Sequence, residues 1–155
     1  MITIEVYSNE YAAAVAELFT AAVHAIDSSI YSVEQQQAWA PIPIDHYQWQ
    51  ARLSSERCYL ALMGDQLLGF IELDGNDIDC CYVHPRFQAQ GVATRLYQHI
   101  EAIAKQRGYE HLRVDASRVA KPFFEKHGFT QIRENQVARA GQTLTNFTLD
   151  KPLTS

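Results

Sequence analysis

The sequence predicts an α/β fold, in which a mixed, mostly antiparallel central sheet of about seven strands is flanked by about four helices. Residues 2–7 alternate apolar and polar side chains, as a half-buried strand does. Residues 58–73 have the pattern of a β-hairpin with a Gly-Asp turn, and a β-prone run at 77–83 leads through a loop into an amphipathic helix. The 155 residues, 47% of them hydrophobic, suffice for one domain with its own core.

The chain between the first strand and the hairpin is predicted to be helical. Ser8 and Asn9 offer a cap for a helix whose apolar residues repeat at helical spacing as far as residue 26. Ser32 is predicted to cap a short helix that ends near Trp39, because two prolines follow closely. A second short helix is predicted over residues 45–53.

The second half of the chain alternates helices and strands. The amphipathic helix that follows residues 77–83 is predicted to end at Gly108, a typical helix terminator. The remaining elements are predicted as a strand, a helix and two final strands, over residues 112–116, 117–127, 129–138 and 143–149.

Charge and cysteine usage exclude several classes of function. A net charge of −5 argues against a general nucleic-acid binder, which needs a basic face. Cys58, Cys80 and Cys81 show no zinc spacing, so we expect buried, reduced thiols and no bound metal. The N-terminus does not resemble a signal peptide, and no apolar run approaches membrane-spanning length. We therefore expect a cytoplasmic protein without nucleic-acid or membrane partners, either a monomer or a homodimer.

The most informative segment is the loop before the amphipathic helix, which contains Gln88-x-x-Gly91-x-Ala93. Backbone N–H groups at a helix start have no intrahelical partner and lie at the positive end of the helix dipole, so they can bind an anion. Small side chains at Gly91 and Ala93 leave these groups accessible. The segment lacks the glycine pattern of a dinucleotide turn and the Gly-Lys-Ser/Thr of a nucleotide-triphosphate loop.

A second motif begins 24 residues after Ala93 and has the form Ser117-x-x-Ala120-x-x-Phe123-Phe124-Glu125-Lys126-x-Gly128-Phe129. Together the two motifs resemble the signatures of the GNAT acyl-CoA N-acyltransferases, in the family's order and at its usual separation. The chain resembles in particular a subgroup of small bacterial-type acetyltransferases, which share Ala38-Trp39-Ala40 and Thr145-Asn146-Phe147. The resemblance covers nearly the whole chain and implies a single GNAT domain over residues 1–155.

The resemblance implies acetyl-CoA as cofactor. Its pyrophosphate is expected to contact the loop residues Gln88, Ala89, Gln90, Gly91, Val92, Ala93 and Thr94. By family similarity, the pantetheine arm is expected to bind the backbone of Cys81 and Val83, and Ser117 to hydrogen-bond the same arm. Candidate basic partners of the phosphates are Arg86, Arg95, Arg118, Lys121 and Lys126, the last three of which also fit a solvated basic face.

Acetyl transfer to a protonated amine requires a base, commonly a carboxylate acting directly or through water. Strand alternation predicts that Asp77, Asp79 and Cys81 share one face near the thioester. We favour Asp79, followed by Asp77 and then Glu72; exposed turn and edge carboxylates are the alternative interpretation.

One departure from the family concerns Phe124, which stands where many members have a tyrosine that protonates the departing CoA thiolate. The remaining candidates for this role are Tyr82, Ser117, Tyr31 and water, and a thiolate that leaves unprotonated is a further alternative.

The acceptor is expected to bind between residues 27–50 and the final hairpin. The candidates for this site are Tyr31, Trp39, Tyr47, Trp49 and Asn146. Trp39 also fits a core anchor, and His24 and His84 are interpreted as structural residues. The leading hypothesis is acetylation of a small amine or an amino-acid-like acceptor. The alternatives are a protein lysine or N-terminal acetyltransferase and a non-catalytic CoA-binding module.

Overall fold

The computed structural model describes residues 1–154, which form one seven-stranded sheet with helices on both faces. The strands are β1 (Ile2–Val6), β2 (Cys58–Met63), β3 (Gln66–Asp74), β4 (Asp77–Val83), β5 (His111–Ser117), β6 (Thr130–Arg139) and β7 (Gln142–Pro152). The α-helices are α1 (Ala12–His24), α2 (Val33–Trp39), α3 (His46–Arg52), α4 (Val92–Gln106) and α5 (Lys121–Lys126). None of the helices within residues 1–154 is long and apolar enough to cross a membrane.

The sheet has the strand order β1-β2-β3-β4-β5-β7-β6, and all neighbours are antiparallel except β4 and β5. These two parallel strands pair only at Asp77 with Arg113 and at Ile78 with Val114. Beyond this point they separate, and the region between them is called the fork below. The fork leaves the facing edges of two central strands without a strand partner, which creates room for a ligand in the middle of the sheet.

Two hydrophobic cores cover the faces of the sheet. On one face, Leu96 and Ile100 of α4 pack against Ile71 and Leu112 of the sheet. On the other face, residues of α1 and the α2–α3 region pack against the side chains of β2, β3 and β4 that point the opposite way. Both cores reach the fork, so a group bound there is held between two rigid layers.

Most predicted elements are confirmed. Ser32 caps α2 through a reciprocal capping box with Gln35. The Asp45 carboxylate accepts a hydrogen bond from the Gln48 amide at the start of α3. The hairpin, the strand before the loop and the two final strands are also present. The α/β class with a mixed, mostly antiparallel sheet of seven strands is therefore confirmed, although five α-helices flank it rather than four.

Two predicted helix starts are wrong. Ser8 makes no side-chain cap, and α1 begins only at Ala12, after a 3-10 turn over Asn9–Tyr11. The helix predicted from residue 117 begins at Lys121, because the Ser117 hydroxyl accepts a hydrogen bond from the Ala120 amide and holds the intervening residues in a turn. This turn lies at the edge of the fork.

Candidate active site

The loop between β4 and α4 presents a row of free backbone donors. Within residues 1–154, none of the amides from Gln88 to Thr94 donates to a protein acceptor. The backbone is left-handed at Ala89 (φ 60°) and Gly91 (φ 82°), and a Cβ added to Gly91 would have nothing within 4 Å. Free amides at a helix start with open space beside them suit an anion such as a pyrophosphate.

A cavity of about 470 Å³, called the loop-side cavity, continues from this loop into the fork. Its other walls come from the end of α1 and the residues after it, from Trp39, and from the end of β4, the turn after β5 and α5. Lining residues of these last three are Cys81, Val83, Ser117, Ala120 and Phe123. Because the Ser117 hydroxyl accepts from Ala120 at 3.1 Å, its own proton is available for a ligand. The cavity therefore offers a strand edge, a hydroxyl donor and a phosphate-sized anion site in one line, which fits the extended shape of CoA.

The basic side chains around this cavity differ in availability. Arg95 donates to the carbonyl of Ile2 at 2.9 Å and so points toward β1. The Lys121 ammonium lies over the Phe147 ring, 4.8 Å from its centroid. Arg86, Arg118 and Lys126 are exposed. Among the basic residues predicted to meet phosphates, these exposed three are the better candidates.

A second cavity of about 710 Å³, the helix-side cavity, lies against α1, α2 and α3. Its walls come from these helices, from both strands of the fork, from β6 and β7, and from Phe124 of α5. The two cavities share Trp39, Cys81, Tyr82, Ser117, Ala120 and Phe124. These shared residues mark the junction where a thioester and a nucleophile entering from opposite sides would meet.

A β-bulge places Asp79 in the helix-side cavity. The β3–β4 register pairs Glu72 with Cys80 and Leu73 with Ile78, so Asp79 is an extra residue in β4. Asp79 and Cys80 consequently both contact Arg52, whereas Cys81 packs toward the core on the other face. The prediction that Asp77, Asp79 and Cys81 share one face is therefore wrong, because the bulge interrupts strand alternation.

Arg52 organises the carboxylates beside the bulge. Its Nη2 donates to Glu72 Oε1 at 2.8 Å and to Asp79 Oδ2 at 3.2 Å. The Glu72 side chain is 4% exposed, and burial raises its pKa although Arg52 opposes the shift. The Asp79 side chain is 56% exposed and lines the cavity, which Glu72 does not. Asp79 is thus the carboxylate of this cluster that a bound molecule can reach.

Asp77 occupies a different place. It lies at the closed end of the fork, opposite Asp74 on β3 and Arg113 on β5, and it lines neither cavity. The structure therefore separates the two aspartates that the sequence placed together.

Tyr82 lies at the junction of the cavities. Its ring packs edge-on against Phe19, with centroids 4.8 Å apart, and stacks on Phe70 at 5.9 Å. Burial raises the pKa of Tyr82 well above its usual value, so the phenol keeps its proton at neutral pH. Trp39 lies beside it, 6.3 Å between centroids, and is half-buried: it packs against the core on this face and also lines both cavities.

Tyr31 connects the helical side of the cavity with β7. Its hydroxyl donates to the carbonyl of Thr145 at 2.6 Å and accepts from the amide of Arg118 at 2.9 Å. The Gln35 side chain adds a hydrogen bond to the carbonyl of Thr143. These contacts close the cavity between α2 and β7. They also engage the Tyr31 proton, which removes Tyr31 from the candidates for protonating a thiolate.

Of the other acceptor-site candidates, Trp49 lines the helix-side cavity, whereas Tyr47 is 88% exposed and lines neither cavity, because α3 turns it to the surface. His24 Nε2 lies 2.7 Å from the carbonyl of Ala40, and His84 Nδ1 accepts from the amide of Arg86, so both histidines are structural. Cys58 and Cys80 are buried as predicted, whereas Cys81 is half-buried at the junction. Asn146 lines the helix-side cavity.

Sequence reasoning missed several polar residues of this cavity, among them Arg52, Asp115 and Arg139. Arg52 reaches it from the end of α3, which carries no sequence motif. Asp115 could have been predicted, because it lies two residues before Ser117 on β5 and side chains two residues apart on a strand point to the same face. Arg139 gave none, because its position depends on how far β6 extends.

A loop with free amides, a forked parallel pair and a bulge beside the junction agree with the acyl-CoA N-acyltransferase site that the two sequence motifs imply. Residues 27–151 match the family model of the acetyltransferase (GNAT) domain. The chain belongs to the GNAT family and is an acyl-CoA-dependent acetyltransferase.

Three relatives show how far the similarity extends. YafP of Escherichia coli (strain K12), named an uncharacterized N-acetyltransferase, is 35% identical over 130 residues, which are 84% of this chain and 82% of YafP. A GCN5-related N-acetyltransferase from Rhodopseudomonas palustris superposes with a TM-score of 0.91 at 36% identity, over 97% of this chain and 95% of that one. The PaiA N-acetyltransferase from Thermoplasma acidophilum, solved in complex with coenzyme A, has a TM-score of 0.76 at 20% identity over 99% of each chain. At this last identity the likeness concerns the fold.

Proposed function

We propose that this protein transfers an acetyl group from acetyl-CoA to the primary amine of a small molecule or amino-acid-like acceptor. The observation that carries the proposal is the closure of the helix-side cavity by Tyr31, whose hydroxyl joins Thr145 to Arg118. A cavity closed between α2 and β7 suits a compact acceptor better than an extended polypeptide, which would need a groove open at both ends.

The loop-side residues bind and orient the cofactor. The amides of residues 88–94 hold the pyrophosphate, and the free edge of β4 at Cys81 and Val83 pairs with the pantetheine arm as an added strand would. Ser117 donates a hydrogen bond to the same arm. Acetyl-CoA supplies the activated acetyl thioester, and the PaiA complex with coenzyme A agrees with this assignment.

Asp79 acts as the general base. An amine acceptor arrives as an ammonium ion, and its nitrogen becomes nucleophilic only after it loses a proton. The Asp79 carboxylate takes this proton directly or through one water, because it lines the acceptor cavity and remains half-exposed while Arg52 holds it in place. The neutral amine then attacks the thioester carbonyl, and the new C–N bond forms as the C–S bond breaks. The nitrogen loses its second proton, which passes through water to the departing thiolate, so the products are a neutral amide and the CoA thiol.

Tyr82 stabilises the departing thiolate. Its raised pKa makes the phenol a weaker acid than a thiol, so it donates a hydrogen bond and keeps its proton. Ser117, also at the junction, offers a second hydroxyl. These two groups take the place of the tyrosine that the family often has at the position of Phe124, which is buried and has no proton to give.

Thiol release from acetyl-CoA tests the proposal. We expect release with members of a panel of small primary amines and amino acids, and much slower release with peptides that carry only a lysine or only a free N-terminus. Faster release with peptides would favour the protein acetyltransferase. Calorimetric CoA binding without thiol release for any acceptor would favour a non-catalytic module.

A further inference from the structure

Asp115 and Asp79 both lie at the base of the fork. The parallel register pairs Asp77 with Arg113 and Ile78 with Val114, so Asp79 and Asp115 are the next positions on the two strands. Adjacent strands are about 4.8 Å apart where they pair. Both aspartates line the helix-side cavity just where the strands begin to separate.

Asp115 also faces the acceptor side of the sheet. Its neighbours Val114 and Ala116 are buried in the core beneath α4, and successive side chains of a strand point to opposite faces. Asp115 itself is exposed in the cavity. Two carboxylates from different strands therefore border the space in which the acceptor is expected.

A chain of hydrogen bonds fixes the Asp115 carboxylate. The hydroxyl of Thr148, 3% exposed, donates to Asp115 Oδ1 at 2.6 Å. The Asn135 side-chain amide donates to the Thr148 oxygen at 2.9 Å and to Asn146 Oδ1 at 3.0 Å. The single proton of Thr148 is thus directed at Asp115. The carboxylate is oriented, and its second oxygen remains available to a ligand.

The charge of Asp115 has no partner among the described residues. Within residues 1–154, no basic nitrogen lies within 4.0 Å of it. Two arginines line this cavity: Arg52 is already engaged by Glu72 and Asp79, and Arg139 makes no salt bridge to Asp115 within the described residues. Among residues 1–154, the neutral hydroxyl of Thr148 is therefore the one hydrogen-bond donor to Asp115, and a cation in the cavity would complete its environment.

We propose that Asp115 is an acceptor-binding residue that recognises the substrate as an ammonium ion, with Thr148 as its positioning residue. This inference rests on the proposed acetyl transfer to a small amine. It adds that cationic amines are selected over neutral molecules of the same shape, and that Asp115 contributes to acceptor binding while Asp79 contributes to the chemical step.

The test compares 2-phenylethylamine with its neutral analogue 2-phenylethanol, and adds 1,4-diaminobutane as a dication. Binding to the CoA-loaded protein is measured by calorimetry, and acetylation of the amines is followed by thiol release. For Asp115→Asn we expect the acceptor KM and Kd to rise on the order of tenfold to a hundredfold, with a much smaller change in kcat and unchanged CoA affinity. The preference for amine over alcohol should fall by a similar factor.

Matched variants separate positioning from folding. Thr148→Val should reproduce part of the KM increase, and Thr148→Ser, which keeps the hydroxyl, should restore the wild-type value. Asp65→Asn, in the exposed turn between β2 and β3, should change nothing. Circular dichroism and Asp115→Glu, which retains the charge, exclude a folding defect as the cause.

Three outcomes overturn the inference: an unchanged acceptor KM in Asp115→Asn, a loss confined to kcat, or an unchanged preference for amine over alcohol. Failure of the proposed function is a separate result, seen as CoA binding without thiol release for any amine. In that case calorimetry with the CoA-loaded protein still decides the role of Asp115. If the amines do not bind to the wild type at all, the inference is wrong as well.

Discussion

The loop that begins α4 is one continuous stretch of chain, whereas the helix-side cavity is assembled from four helices and four strands. In the loop, the binding groups are backbone amides, and what matters is that side chains stay away from them. In the cavity, the binding groups are side chains brought together by a bulge, a fork and a hydroxyl bridge. Cofactor binding therefore depends on local backbone geometry, and acceptor choice depends on tertiary placement.

The largest expected effect is on the loop. Gly91→Val places a branched side chain where the phosphates would lie, in space that is empty in the protein itself. We expect CoA binding to fall below detection by calorimetry. The free energy of unfolding should fall by about 1–2 kcal/mol, because valine is strained in the left-handed backbone conformation of this position.

Gly108→Val is the matched control for this change. Gly108 has a nearly equal φ of 79°, also faces open space, and lies at the other end of α4. It should carry the same strain and bind CoA normally. Normal CoA binding by the Gly91 variant would show that the loop does not hold the cofactor.

The second-largest expected effect is a loss of kcat, and it should distinguish the two aspartates of β4. Asp79→Asn should lower kcat on the order of 10² to 10⁴-fold with little change in CoA affinity, because the base is lost and the cofactor contacts remain. Asp77→Asn removes the same charge two residues away, outside both cavities, and should leave kcat within about twofold of wild type. Equal losses in both variants would point to a general charge effect rather than a base. The readout is steady-state thiol release at saturating acetyl-CoA.

These variants also show why the two regions differed in predictability. The loop could be predicted because its function depends on one short stretch, Gln88 to Thr94, at a strand-to-helix transition. Asp79 could be proposed from its strand, but the placement of Cys81 on the opposite face could not, because the bulge follows from the β3–β4 register and not from the local pattern. Arg52 and Asp115 reach the same cavity only because the chain folds α3 and β5 around the fork.

The strands and most helices were predictable because alternation, prolines and caps act locally. The start of α5 was not, because a hydrogen bond between Ser117 and Ala120 competes with helix formation and the Tyr31 hydroxyl takes the next amide. Propensity alone cannot anticipate a partner 87 residues away.

A smaller effect is expected at the junction. Tyr82→Phe keeps the ring packing against Phe19 and Phe70 and removes only the hydroxyl. We expect kcat to fall by about tenfold, because the transition state loses one hydrogen bond to the negatively charged thiolate. Tyr7→Phe is the control, because the Tyr7 hydroxyl is buried on the same face of the sheet and makes no hydrogen bond in the described chain. It should have wild-type kcat. An unchanged kcat in Tyr82→Phe would leave Ser117 or water as the group that meets the thiolate.

The smallest effect on catalysis, and the clearest on stability, is expected where α4 is fixed to β7. Glu101 of α4 is hydrogen-bonded to Tyr97, to Lys151 at 2.7 Å and to Lys105 at 3.2 Å. Burial alone would raise the pKa of Glu101, but these hydrogen bonds outweigh it and lower the pKa to about 2. Because the folded pKa is depressed, the stabilisation is fully present above the ordinary glutamate pKa and is lost as pH falls toward 2.

Glu101→Gln should therefore lower the free energy of unfolding by about 1–3 kcal/mol at pH 7, measured by urea denaturation, and by much less near pH 2. Glu17→Gln, on the exposed face of α1, should change it by less than about 0.5 kcal/mol. CoA affinity and kcat at 25 °C should stay at wild-type values, because the Glu101 cluster lines neither cavity. If CoA affinity instead fell in proportion to the free energy of unfolding, the geometry of the loop would depend on the contacts that hold the last turns of α4. The cofactor site would then depend on tertiary structure, as the acceptor site does, and the proposed difference between the two sites would be wrong.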